Sequence, residues 1–184
     1  MLAGTAAPTF QVTAGPVVSF DSLYDAHFDV VWRTLARLGV PSMNLDDATQ
    51  EVFITAWRRQ NDFQHRSSLK TWLIGITIRV AADARKSLAR KGQGESLDAL
   101  RGQQAGGAPD AAVEAREGMA RLRRVLSELT DEQREVFVLM EMEGYTAPEV
   151  SDLLHVALNT VYSRLRLARA AFNAAVAKVT EVRS

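Results

Sequence analysis

The sequence predicts an all-α protein built as two small helical domains joined by a flexible linker. Three observations carry this prediction. Apolar residues recur at helical spacing through both halves of the chain. The S/T-x-x-E/Q capping pattern occurs twice, at Thr130/Gln133 and Thr146/Glu149. Between the two periodic blocks lies "GQGESLDALRGQQAGGAPD", from Gly92 to Asp110, which is rich in glycine and has no sustained period. The expected divisions are a disordered tail over 1–19, a first domain over 20–91, a linker over 92–111 and a second domain over 112–184.

In the first helix, Asp21 to Leu38, residues Leu23, Tyr24, Phe28, Val31, Trp32, Leu35 and Leu38 form the apolar stripe, and Gly39 followed by Pro41 ends it. Asn44 is expected to cap a second helix reaching about Arg59. Its inward stripe is Leu45, Thr49, Val52, Phe53 and Ala56; Asp47, Gln50, Glu51, Ile54 and Arg58 lie opposite.

The segment "TWLIGITIRVAADARK", Thr71 to Lys86, is ambiguous, because Trp72, Ile74, Ile76, Ile78 and Val80 alternate as they would in a half-buried strand. A lone strand could not satisfy its backbone hydrogen bonds, and no other segment has a pattern fit to pair with it. We therefore expect a helix capped by Ser67 or Ser68, with Leu69, Leu73, Ile76, Val80 and Ala84 on one side and Ile74 and Ile78 on the other. Such a helix is apolar all round its middle and must be packed between others.

The second block opens with a helix from about Ala112 to Leu129. The Thr130 box then starts a helix that buries Val136, Phe137 and Met140 and stops at Gly144. The Thr146 box starts a short one burying Val150, Leu153 and Leu154, with Pro148 tolerated in its first turn. After the turn "HVAL", a last helix buries Val161, Leu165, Ala168 and Phe172, while Asn159, Ser163 and Arg166 face away, flanked by Thr160, Tyr162 and Arg164.

Composition narrows the chemistry. The 184 residues contain no cysteine, and the three histidines, His27, His65 and His155, are far apart, so neither disulfides nor a local metal motif is expected. No apolar run approaches the roughly 18 residues of a membrane span, and the opening segment lacks the basic region of a signal peptide. A cytoplasmic location fits. No nucleophile–base pattern or phosphate-cradling glycine loop is present, so neither an enzyme nor a cofactor is expected. Formal charge sums to zero but is unevenly placed: Asp21–Asp62 holds seven acids against four bases, and Arg66–Lys91 holds seven bases and one acid.

A short capped helix, a tight turn and a longer helix opening with small polar and basic residues form a helix-turn-helix, the shape that places side chains in a major groove. Any antiparallel helix pair exposes some such residues, so pattern alone leaves a protein-binding module open. Trp72 amid Lys70, Thr71, Arg79, Arg85 and Lys86 could stack on unpaired bases or could simply pack in the core. The Asp47/Gln50/Glu51 face could dock a basic helix or be ordinary solvated surface.

Three stretches taken together, "DDATQEVFITAW" (Asp46–Trp57), "RSSLKTWLIGITIRVAADARK" (Arg66–Lys86) and "LTDEQREVFVLMEMEGYTAPEVSDLLHVALNTVYSRLRLAR" (Leu129–Arg169), resemble the extracytoplasmic-function sigma factors of bacterial RNA polymerase. The resemblance runs from about Phe20 to Ala175. It implies an all-helical sigma domain 2 and a sigma domain 4. It implies that Asp46, Asp47, Gln50 and Glu51 dock on the clamp helices of the largest polymerase subunit. It places Lys70, Thr71, Trp72, Arg79, Asp83, Arg85 and Lys86 at the −10 element, and Leu158, Asn159, Thr160, Tyr162, Ser163, Arg164 and Arg166 at the −35 duplex. Promoter DNA, core polymerase and an anti-sigma factor are the implied partners. A helix-turn-helix regulator acting without polymerase is the alternative. Three residues depart from the family pattern. Arg79 stands where many relatives carry asparagine near a flipped base, His155 replaces the usual turn glycine, and Ala157 replaces a frequent capping serine.

Overall fold

The computed structural model describes residues 9–10, 18–64, 66–91 and 110–181. Seven α-helices are described: α1 (Phe20–Arg37), α2 (Leu45–Arg58), α3 (Leu69–Lys91), α4 (Asp110–Ser127), α5 (Asp131–Phe137), α6 (Ala147–Leu154) and α7 (Leu158–Glu181). Within the 1–19 segment, β1 (Thr9–Phe10) and β2 (Val18–Ser19) pair antiparallel over two residues each. The expected linker over 92–111 falls almost wholly outside the described residues. The helices form two compact units, one holding the described residues up to Ala36 with Val40–Ala82, the other Arg37–Gly39 with those from Asp83 onward.

In the first unit α1 contributes Leu23, Val31 and Leu35 to the core, and α2 contributes Leu45, Val52, Phe53 and Ala56. Aromatic rings tie these helices together: Tyr24 lies 4.7 Å from Phe53, and Phe20 lies 5.7 Å from Trp57, edge to face. The chain leaves α1 through Gly39, whose φ of 92° lies in the region that favours glycine.

The ambiguous Thr71–Lys86 segment is helical. Ile74 and Ile78 are 1% and 6% exposed, close to the 1% of Leu73 and 4% of Ile76 on the opposite stripe, so both apolar sides of the middle of α3 are buried. Alternation arose because both sides of one helix are apolar. Buried hydroxyls on α2 and α3 find acceptors one turn back, Thr49 on the Leu45 carbonyl at 2.7 Å and Thr77 on the Leu73 carbonyl at 2.8 Å. Ser68 is the cap of α3, its Oγ accepting from the Thr71 N–H at 3.0 Å.

Asn44 does not cap α2 as expected. It ends a 3-10 turn, Ser42–Asn44, with φ −109° and ψ 0°, and its side chain makes no capping bond. A capping residue needs an extended backbone to aim its oxygen at the first helical N–H groups. Asp46 and Asp47 instead place negative charge in the first turn, where the helix dipole favours it.

The second unit is built on Leu126, Leu129, Val136–Leu139, Val150, Val161, Leu165 and Ala168, with Phe137 stacked on Phe172 at 4.5 Å. Arg134 is 8% exposed and closes α4: its Nε donates to the Leu126 carbonyl at 2.8 Å and its Nη2 to the Leu129 carbonyl at 2.9 Å. The Leu126 carbonyl lies in the last turn of α4, where no intrahelical donor remains, and Leu129 follows in the turn that leads to Thr130. The Thr130 capping box forms as expected, with Gln133 N–H donating to the Thr130 hydroxyl and Thr130 N–H to the Gln133 side chain.

The helix that follows does not run on as α to Gly144. It ends at Phe137 and widens into a π turn, Val138–Met142, with Glu143 N–H bonded to the Val138 carbonyl. Four successive residues from Val136 are buried, too wide an arc for one α-helical stripe, and Met140 is left half-buried.

At the head of α6 the Glu149 carboxylate accepts from the Thr146 N–H at 2.8 Å and from its hydroxyl at 2.7 Å. These bonds hold the Glu149 carboxyl below its ordinary value of 4.5. A lowered carboxyl pKa gives stability that is fully present above the unfolded value and lost as pH falls through the folded one. The melting difference between the wild type and Glu149→Ala should therefore be widest at neutral pH and shrink as the buffer is taken below 4.5.

His155 ends α6 with φ 54° and ψ 44°, the left-handed conformation that a glycine would adopt freely. His155→Gly should stabilise the second unit by about 0.5–1 kcal/mol, strain relief outweighing the extra entropy of glycine in the unfolded chain. Urea unfolding of the two proteins measures it.

Candidate nucleic-acid and protein interfaces

Each group of candidate side chains sits on one helix. On α7, the buried stripe Val161, Leu165 and Ala168 fixes the helix rotation, which leaves Asn159, Ser163 and Arg166 exposed. Tyr162 is 53% exposed and Leu158 39%, while Thr160 and Arg164 are half-buried at the edges. The Ser163 hydroxyl bends back to the Thr160 carbonyl at 3.0 Å. All seven candidates thus fall in the first two and a half turns, the part of a recognition helix that meets base edges. Ala157 precedes α7 and offers only its carbonyl, which accepts from the Thr160 N–H at 2.8 Å.

Arg169, one turn further on, is not available for DNA in the same way. Its guanidinium is paired with Glu141 of the π turn at 2.5 Å. This pair ties α7 to the π turn, a contact that no periodicity in the sequence announces.

On α2, Asp46, Asp47, Gln50 and Glu51 are all exposed. Asp46 accepts a long hydrogen bond from Trp32 Nε1 at 3.4 Å, and Glu51 accepts from the Thr55 hydroxyl at 3.2 Å. Asp47 and Gln50 take part in neither bond. Two apolar side chains flank them, Ile54 at 39% and Met43 at 72% exposure. Met43 lies in the 3-10 turn, outside any helical period, so residue spacing offers no reason to include it.

On α3 the candidates divide. Trp72 is half-buried and its ring rests on the buried Phe63, with centroids 5.4 Å apart. Lys70, Arg79, Asp83 and Lys86 are exposed and Thr71 is half-buried. Lys70 faces His27, whose imidazolium is disfavoured by burial first and by the Lys70 charge second. Arg85 differs from the rest. Its side chain is 12% exposed and is paired with Asp131 at 3.1 Å and Glu135 at 2.8 Å, so its charge is already neutralised within the second unit. Sequence position alone could not separate Arg85 from Arg79, because the partners of Arg85 lie some fifty residues away.

Among the described residues no group of His, Cys, Asp or Glu is arranged to hold a metal ion. No described helix is long and apolar enough to cross a membrane.

Comparison with known proteins gives these surfaces a family. Residues 23–91 match the model for sigma-70 region 2, and residues 119–172 match that for sigma-70 region 4. The RNA polymerase sigma factor NccH of Alcaligenes xylosoxydans xylosoxydans is 29% identical over 168 residues, covering 89% of this chain and 90% of that protein. The ECF RNA polymerase sigma-E factor of Escherichia coli K12 is 28% identical over 171 residues, covering 89% of each. Two solved structures share the fold. CnrH in complex with the cytosolic domain of CnrY has a TM-score of 0.66 and 24% identity, over 86% of this chain and 88% of that one. RpoE in complex with the anti-sigma factor NepR, from Bartonella quintana, has a TM-score of 0.66 and 20% identity, over 85% and 96%. With regions 2 and 4 in order and relatives matched along nearly their whole length, the chain belongs to the extracytoplasmic-function group of RNA polymerase sigma factors.

Proposed function

We propose that the chain acts as an alternative sigma factor, giving bacterial core RNA polymerase its choice of promoter. The observation that carries this reading is the separation of surfaces: an acidic face on α2, an aromatic and basic strip on α3, and a polar helix-turn-helix face on α7. Asp47, Gln50 and Glu51, with Asp46 beside them, dock on a basic helical surface of the polymerase, and Met43 and Ile54 add apolar contact at the rim. Lys70, Thr71, Trp72, Arg79, Asp83 and Lys86 meet the unpaired strand of the −10 element, with Arg85 holding its ion pairs instead. Leu158, Asn159, Thr160, Tyr162, Ser163, Arg164 and Arg166 read the −35 duplex.

Separating the strands costs several kcal/mol, offset in part by bases stacked on protein and held outside the duplex. The chain carries out no covalent chemistry of its own, works in the cytoplasm beside the polymerase, and is bound by an anti-sigma partner, as RpoE of Bartonella quintana is by the anti-sigma factor NepR. Run-off transcription from a genomic promoter library, with core enzyme alone and with the chain added, tests the reading. Promoter-specific transcripts that depend on the chain support it; a folded chain that adds none overturns it.

A further inference from the structure

Three arginines lie in the first half of α7, and one is set apart from the others. Arg164 and Arg166 make no ion pair among the described residues, whereas Arg169 is held by Glu141. Its Nε, at 3.0 Å, and its Nη2, at 2.5 Å, donate to the same carboxylate oxygen. The contact crosses 28 residues of sequence and joins α7 to the π turn, the widened segment that follows from burying Val136–Leu139 in succession.

Arg169 stands where a free guanidinium would meet DNA. Leu158, Tyr162, Arg166 and Arg169 are all exposed and follow one another at spacings of four, four and three residues, so they line one side of the helix beside its buried stripe. Arg169 is about 4.5 Å further along the axis than Arg166, at the edge of the face that reads the duplex, and an arginine at such an edge reaches the phosphate backbone.

The pair does little for the fold. The side chain of Arg169 is 59% exposed and that of Glu141 34%, and an ion pair in that setting is screened by water and by salt. It matters more to an approaching polyanion. A guanidinium already neutralised by a carboxylate yields no net release of counterions on meeting phosphate, and the carboxylate set free would itself repel the DNA.

We propose that Glu141 is an autoinhibitory mimic of phosphate, which withholds Arg169 from the DNA backbone and keeps the sequence-independent grip of the second unit low. Phosphate contacts add affinity for any sequence, so withholding one leaves the choice of site to base contacts and to polymerase. The proposal rests on reading α7 as the helix that enters the duplex, and it adds a residue outside that helix that sets how firmly it holds.

The test is a double-mutant cycle on the full chain, with binding to a labelled duplex of arbitrary sequence measured across a salt series. Glu141→Gln keeps the shape of the side chain and removes its charge. It should tighten binding about fivefold near 0.15 M salt and steepen the dependence of log affinity on log salt by about 0.9, the value of one added phosphate contact. In an Arg169→Gln background the same change should alter affinity less than about twofold, because no guanidinium remains to be released. The single and double variants should melt within about 4 °C of the wild type. A Glu141→Gln chain that binds as the wild type does overturns the proposal. A gain of equal size in both backgrounds also overturns it, since that result assigns the effect to general repulsion. A folded chain that holds no duplex even at low salt, alone or as holoenzyme, overturns the reading of α7 itself.

Discussion

Replacing Asp47 and Glu51 together with arginine should lower the affinity for core RNA polymerase by about 100-fold, or roughly 2.7 kcal/mol, while the first unit stays folded. Both side chains are exposed and neither touches the core, so the change falls on the surface of α2. Losing two attractive charges and gaining two repulsive ones acts twice on a basic partner. The cost to the fold is smaller. Asp47 lies in the first turn of α2, where a positive charge opposes the helix dipole by about 0.3–1 kcal/mol. Fluorescence titration of labelled chain with core enzyme, alongside thermal unfolding of the variant, separates the two effects. Affinity that falls less than threefold in a folded variant would assign docking to another face.

Trp72→Ala should reduce open-complex formation by about 10- to 100-fold, the value of one stacked base, with polymerase affinity within about twofold of the wild type. The expectation follows from where the ring lies: on α3 against Phe63, whereas the acidic residues proposed to dock on polymerase are on α2. Removing it also loses packing, and the first unit should be weakened by about 2 kcal/mol. Trp72→Phe controls for this, since it keeps a ring on Phe63 and a platform for a base. Permanganate footprinting of melted thymines, set against the binding titration, reads the two steps separately. Equal loss of both would leave Trp72 as a packing residue.

Much of this arrangement could be read from the residue order, because the physics that sets it is local. The α2 stripe from Leu45 to Ala56 and the α7 stripe from Val161 to Ala168 are buried as their spacing requires, and both fix which residues face outward. The Thr130 and Thr146 boxes mark helix starts because the bonds that make them span only three residues. His155 stood out only as a departure from the family's turn glycine, which left either a left-handed residue or a different turn open; the structure has the left-handed residue.

What the order of residues did not carry is set by distant contacts or by crowding. The alternation in α3 resembled a strand because burial on all sides erases the helical period. Asn44 looked like a cap, but the 3-10 turn before it set its backbone in the wrong conformation. The π turn comes from the need to bury four residues in succession, which no local preference encodes. Arg85 and Arg79 are alike in sequence and differ only because Asp131 and Glu135 meet one of them.

Under the proposed function, two small helical units discriminate a promoter only when polymerase holds them on one DNA, so that binding by one raises the effective concentration of the other. The most direct measurement is the ratio of affinities for promoter and non-promoter DNA, taken for the isolated chain and for the holoenzyme at the same salt concentration. The ratio should be near one for the isolated chain and at least about 100 for the holoenzyme. An isolated chain that discriminates as well as the holoenzyme would contradict it.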